Sequence, residues 1–167
     1  MRSLALLLAL AFAAPAGAQE VGSVPPRFGL GLDVLTAVLS QDLIPDGAAL
    51  GLRARAALPV NADVSVAASL GVASHLFDGR DDAALVLNPQ AEIIVTLPGD
   101  GAARYVLGGV GGFLPLSEGG GGPALHAGYG IALPLYETAL FLEVNPSLII
   151  GEDETTPVLA LRAGVIF

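Results

Sequence analysis

His75 and His126 are the two imidazoles of this 167-residue chain. A histidine beside a serine and a carboxylate is the arrangement that runs acyl transfer. His126 is followed by Ala127 and Gly128, so a His-x-Ser nucleophile is missing. Ser74 adjoins His75, but adjacent residues of a strand point to opposite faces. There is no cysteine, no phosphate-cradling glycine loop and no His-Glu-x-x-His helix. Asp78-Gly79-Arg80-Asp81-Asp82 lacks the acid spacing and the closing Glu of a calcium loop. The expectation is a protein that is not an enzyme, with no catalytic residue, no metal site and no cofactor.

The chemistry that remains is ionic. The chain has 16 acids against seven arginines, and its net charge of −9 excludes a phosphate-binding, nucleic-acid surface. Six charges fall in one phase of alternating segments: Asp33, Glu92 and Glu143 against Arg53, Arg55 and Arg162. Buried charges persist only when paired or hydrated, and the arginine fork holds carboxylates bidentately. These six are expected to form a charge network inside the molecule, filling the interior and fixing strand register. A narrow charge-lined pore is the alternative. Arg104 reads in an inward phase as well, near one rim.

The elements that must position them are strands of period two, bounded by Gly, Pro, Asn and Asp. Eight are expected, at about 28–38, 49–58, 63–74, 84–97, 103–114, 124–134, 139–149 and 157–167. The second sets Leu50, Leu52, Ala54, Ala56 and Leu58 against Gly51, Arg53, Arg55 and Ala57. The seventh sets Leu140, Leu142, Val144 and Leu148 against Phe141, Glu143, Asn145 and Ser147. The fifth is the least clean, with Tyr105, Leu107 and Phe113 on one face and Val106 and Val110 on the other. Pro89 and Pro146 fall inside strands, where proline removes a ladder donor, and bulges are expected at Asn88-Pro89 and Asn145-Pro146.

Residues are 53% hydrophobic, yet past the first few no apolar run approaches the roughly 20 residues of a spanning helix. Alternating strands with an apolar outside explain this combination. Each strand is long enough to cross a bilayer, and backbone groups in lipid forbid an open edge, so the sheet must close. The fold class is therefore all-β: an eight-stranded, antiparallel, up-and-down transmembrane β-barrel. Met1-Arg2-Ser3, the apolar stretch Leu4 to Ala14 and Ala16-Gly17-Ala18 read as a secretory signal cleaved near Ala18. The domains are then a signal peptide (1–18), a short lead (19–27) and the barrel (28–167).

The final segment, Leu161-Arg162-Ala163-Gly164-Val165-Ile166-Phe167, alternates to an aromatic carboxy-terminus. It resembles the last strand of bacterial outer-membrane barrels, and the whole pattern is similar to the small eight-stranded family of the OmpA transmembrane domain and OmpX. The resemblance implies the outer membrane of a Gram-negative bacterium. It makes Leu161, Ala163, Val165 and Phe167 an insertion signal read by the barrel-assembly machinery. It puts tight turns at 59–62, 98–101 and 134–137 on the periplasmic side and the acidic loops outside, at about 39–48, 75–83, 115–123 and 150–156. Phe28, Tyr105, Phe113 and Tyr136 are expected in the aromatic girdles. Partners would be outer-membrane lipid and lipopolysaccharide, not nucleic acid, and the protein is expected to be a monomer. The implied role is structural or one of surface interaction. A small ion or solute channel, and a soluble periplasmic lipid-binding barrel, are the alternatives.

Overall fold

The computed structural model describes residues 25–37, 48–75, 84–99, 101–116, 121–151 and 155–167. The expected signal segment (1–18), most of the expected lead, His75's side chain and the acids at 42, 46, 78, 81, 82, 118 and 152–154 lie outside the described residues.

Eight antiparallel strands follow one another round a closed ring. They are β1 (Arg27–Ala37), β2 (Ala48–Pro59), β3 (Val64–His75), β4 (Ala84–Leu97), β5 (Ala103–Pro115), β6 (Gly122–Leu135), β7 (Thr138–Ile150) and β8 (Thr155–Ile166). Each pairs with its sequence neighbour, and β8 returns to β1 with Asp33 opposite Arg162. Beyond the last ladder pair, Phe28 N–H donates to Phe167 O at 2.9 Å and Phe167 N–H to Phe28 O at 2.8 Å. That reciprocal pair fastens the seam between the first and last strands.

Two of the short turns have local causes. Between β2 and β3, Asn61 Oδ1 accepts the backbone N–H groups of Asp63 and Val64 at 2.9 and 2.8 Å, the side chain substituting for a backbone acceptor. Between β6 and β7, Tyr136 adopts a φ of 54°, and Thr138 Oγ1 donates to Leu135 O at 2.9 Å. A left-handed non-glycine residue costs about 1 kcal/mol or more, so the two-residue reversal is held by the pairing on either side.

Alternation sorts the two faces. Leu30, Leu32, Leu52, Leu70, Ile93, Leu125, Leu142 and Leu161 stand exposed on the outside, while five of the six expected charges are buried inside and Arg55 is half-buried, its side chain 11% exposed. The loop end of the lumen is closed by an apolar hoop to which every strand contributes: Leu35, Ala49, Ala73, Val86, Phe113, Ala124, Ile149, Val158 and Ala160. At the turn end, a cavity of about 100 Å³ reaches inward between Tyr105, Phe141 and Arg55.

Two expectations are corrected. The phase of β5 is reversed: Tyr105 and Phe113 are 6% and 4% exposed, while Val106 and Val110 are 39% and 57% exposed. Tyr105 and Phe113 therefore line the lumen and belong to no girdle, and Arg104 faces outward, exposed. The reason is space. A side chain at inward-facing Gly130 would collide with the Tyr105 ring, and Phe113 fills the apolar hoop, so small neighbours draw the aromatics in. Phe28 and Tyr136 do lie on the exposed surface at the turn end, and Tyr136 is wholly exposed.

Nor are there bulges at the prolines. Pairing of β4 with β5 skips Asn88 and Pro89 and resumes in the same register from Leu87–Leu114 to Gln90–Gly111. Pairing of β6 with β7 skips Asn145 and Pro146 in the same way, between His126–Ser147 and Tyr129–Val144. On their other sides both prolines stay paired, Leu70 with Pro89 and Pro146 with Leu159. A missing N–H removes one ladder bond without demanding an extra residue.

Candidate functional site

The six charges meet in one cluster across the middle of the lumen. They come from β1 (Asp33), β2 (Arg53, Arg55), β4 (Glu92), β7 (Glu143) and β8 (Arg162), all on inward phases. Three acids oppose three arginines, so the set is formally neutral.

Arg53 lies deepest in hydrogen bonds. Its Nε donates to Asp33 Oδ2 at 2.7 Å, and its Nη1 donates to Ser69 Oγ at 2.9 Å and Gln90 Oε1 at 3.0 Å. Its Nη2 donates to Asn88 Oδ1. Gly71, facing it on β3, is what lets the guanidinium lie flat, because a Cβ there would fall 2.6 Å from Nη2.

Arg55 grips Glu143 through Nη1 and Nη2 at 3.0 Å each to Oε2, with a further bond at 3.2 Å to Oε1. Its guanidinium carbon stands 5.8 Å from the Phe141 ring centre, within range of a cation–π contact. Glu92 is held by charge rather than by hydrogen bonds. Its Oε1 lies 2.7 Å from Arg55 Nε, but off the N–H direction, and neither carboxylate oxygen accepts a hydrogen bond.

Arg162 donates from Nη1 to Glu143 Oε1 at 2.7 Å and from Nη2 to Gln90 Oε1 at 3.1 Å. Its Nε is 3.7 Å from Asp33 Oδ1, a Coulombic contact only. Glu143 is thus the hub, shared by Arg55, Arg162 and the Tyr105 hydroxyl, which donates to Oε2 at 3.1 Å. Asn145 is fully buried beside it, with Nδ2 3.4 Å from both Glu143 Oε1 and His126 Nδ1.

All six expected network residues are brought together. Ser69, Gln90, Asn88, Asn145 and Tyr105 are partners beyond the six expected charges. The first four are legible as polar residues in the inward phase; Tyr105 is not, because both phases of its strand carry large apolar residues. Lateral neighbours such as Asp33 and Arg162 follow from strand order. The contacts that cross the lumen, Arg55 to Glu143 and Arg162 to Gln90, require the closed ring. His126 is buried, with no serine hydroxyl among its hydrogen-bond partners. Among the described residues no group of three or more His, Cys, Asp or Glu side chains could hold a metal.

This geometry can neutralise charge and tie distant strands together. Removing one partner of such a buried pair costs about 3–5 kcal/mol, because the other is left uncompensated.

The closed eight-stranded ring is matched among solved structures. Neisserial surface protein A superposes with a TM-score of 0.63 at 11% identity, over 84% of this chain and 94% of that one. This chain has the fold of the small eight-stranded outer-membrane β-barrels. The N-terminal β-barrel domain of Pseudomonas aeruginosa OprF aligns with a TM-score of 0.50 at 15% identity, over 84% of this chain and 97% of the domain. Ail, the attachment invasion locus protein of Yersinia pestis, aligns at 0.50 and 15%, over 85% of this chain and 96% of that one. No family model matches the sequence, and no curated protein is similar to it. The fold is therefore carried here by a sequence only 11–15% identical to these neighbours.

Proposed function

We propose that this chain is an integral β-barrel of a Gram-negative outer membrane, with a structural or surface-interaction role, no catalysis and a lumen closed by its ion-paired plug. One observation carries the reading: large apolar side chains cover the outside while all six network charges face inward and are paired, five of them buried. A soluble lipid-binding barrel needs the opposite sorting, since lipid would occupy the interior and water the exterior. Against a channel stand the apolar hoop at the loop end and the bonds that span the lumen from Arg162 to Gln90.

In this reading the signal is removed near Ala18, and the exposed belt faces lipid and lipopolysaccharide. Leu161, Ala163, Val165 and Phe167 present the strand that the assembly machinery receives. The protein works as a monomer, and the outward loops carry whatever surface contacts it makes.

The test is conductance of the refolded protein in a planar bilayer, alongside its migration on a gel with and without heating. The expected result is a heat-modifiable, inserted and electrically silent protein. Discrete current steps that change on Arg55→Gln substitution would replace the plug with a permeation path. Extraction from native membranes by carbonate alone would remove the integral barrel altogether.

A further inference from the structure

The two Asn-Pro pairs interrupt the barrel wall in the same way and are repaired differently. In an antiparallel sheet a residue turns its N–H and C=O toward the same neighbour. Pro89 keeps its pairing with β3 and Pro146 with β8, so the absent N–H groups are those that would have faced β5 and β6. The residues opposite are Gly112 and Ala127, whose carbonyls lose a donor.

At the first seam the loss is made good. Asn88 Nδ2 donates to Gly112 O at 2.8 Å. At the second, Asn145 turns its amide into the lumen, toward Glu143 and His126, and supplies nothing to the wall. The Ala127 carbonyl is left without a donor from β7.

Ala127 and Pro146 line a groove on the outer wall of about 380 Å³, together with Leu125, Leu148 and Pro157 and with His126 and Ser147 at its edge, its exposed lining mostly apolar. A larger groove of about 600 Å³ lies over Leu30, Leu52, Leu70 and Ala163. The ladders beneath it, β8–β1–β2–β3, run unbroken, so it offers hydrocarbon and no acceptor. In lipid an unpaired backbone carbonyl has no water to turn to, so its partner must come from the protein or from the lipid itself.

We propose that the β6–β7 seam binds a lipid acyl chain bearing a hydroxyl group, the chain lying in the groove and the hydroxyl donating to the Ala127 carbonyl. The proposal rests on the membrane reading above. Pro146 sits near the loop end of β7, which ends at Ile150, so the seam meets the upper part of a chain in that leaflet. A plain chain would fill the same groove and leave the carbonyl unpaired, so the seam discriminates by one hydrogen bond.

The experiment uses the full barrel in phosphatidylcholine nanodiscs, titrated with β-hydroxytetradecanoate or with tetradecanoate. The amide resonance of Gly128 reports on the Ala127 carbonyl, because the two share a peptide group. The Phe113 amide reports in the same way on Gly112, whose carbonyl already has a partner. The expected result is a saturable shift at Gly128 with the hydroxy acid alone, and no change at Phe113. Pro146→Ala supplies the missing N–H and should abolish the response. Leu148→Trp, which fills the groove from outside, should weaken it by about tenfold, the equivalent of a single interaction. Equal responses to the two acids, or none to either, would overturn the proposal. Failure of the protein to enter nanodiscs would overturn the membrane reading with it, and is told apart by the absence of a folded spectrum.

Discussion

β5 and β6 differ from the six strands that surround them. The inner faces of β1, β2, β4, β7 and β8 carry the acids and arginines, and β3, though uncharged, gives Ser69 to Arg53 and is paired without a break on both sides. β5 and β6 carry no acid or arginine inside, hold several glycines, and are bounded on each outer side by a proline seam. Their ties to the network are the Tyr105 hydroxyl on Glu143, the Asn88 amide that joins Gly112 O to Arg53, and the approach of Asn145 to His126. One part of the ring is fastened by charge across the lumen, the other by ladder bonds and apolar fill. A barrel of this size can therefore divide its stability between two mechanisms that respond to different changes.

The largest effect that tests this division is Arg162→Leu. It strips Glu143 and Asp33 of a partner and should lower stability by about 3–5 kcal/mol in urea unfolding followed on gels. Tyr105→Phe, on the other side of the division, removes one hydrogen bond to a charged group and should cost about 1.5–3 kcal/mol. If the tyrosine substitution cost as much as the arginine one, β5 would belong to the network and the division would fail.

The seams give a smaller contrast. Asn88→Ala deprives Gly112 of its substitute donor and Arg53 of an acceptor, and should cost about 1–3 kcal/mol. Pro146→Ala restores a donor to a carbonyl that lacks one and should gain about 0.5–1.5 kcal/mol. Amide exchange at Gly112–Phe113 and Ala127–Gly128 would locate both changes. Opposite signs sharpen the distinction between a repaired and an unrepaired seam; a loss from both would erase it. Smallest of all is Arg104→Leu, exposed on the outer face of β5, which should stay within about 0.5 kcal/mol. A cost comparable to that of Arg162→Leu would return Arg104 to the lumen and reverse the strand again.

Most of the fold was legible because period-two alternation survives in seven strands. The inward charges identify themselves wherever every other outward residue is Leu, Val or Ala, as in the second and seventh strands. The fifth defeated this logic because both its phases carry large apolar residues, Tyr105, Leu107 and Phe113 against Val106 and Val110. What decides its phase is the room left by Gly130 on the next strand, a fact about neighbours rather than about the strand itself. The prolines were read correctly as lost donors and wrongly as bulges. The asparagine before each was the available clue, since its amide can stand in for a backbone N–H, but which of the two does so depends on what lies inside. Cross-lumen partners such as Arg162 and Gln90 were beyond reach, because no spacing along the chain encodes a diameter.

The placement of the charges bears on how errors are caught during assembly. A slip of one residue in pairing sends a whole strand's inner face outward. For β2 that would carry Arg53 and Arg55 to the apolar outer face, which in the proposed membrane setting costs about 2–4 kcal/mol for each at mid-depth. The same slip in β1, β4, β7 or β8 would expose an acid or an arginine, so five strands are proofread by their own side chains. β3, β5 and β6 carry no such charge, but β3 lies between two strands that do; wrongly registered intermediates should accumulate in the β5–β6 hairpin, between the two proline seams.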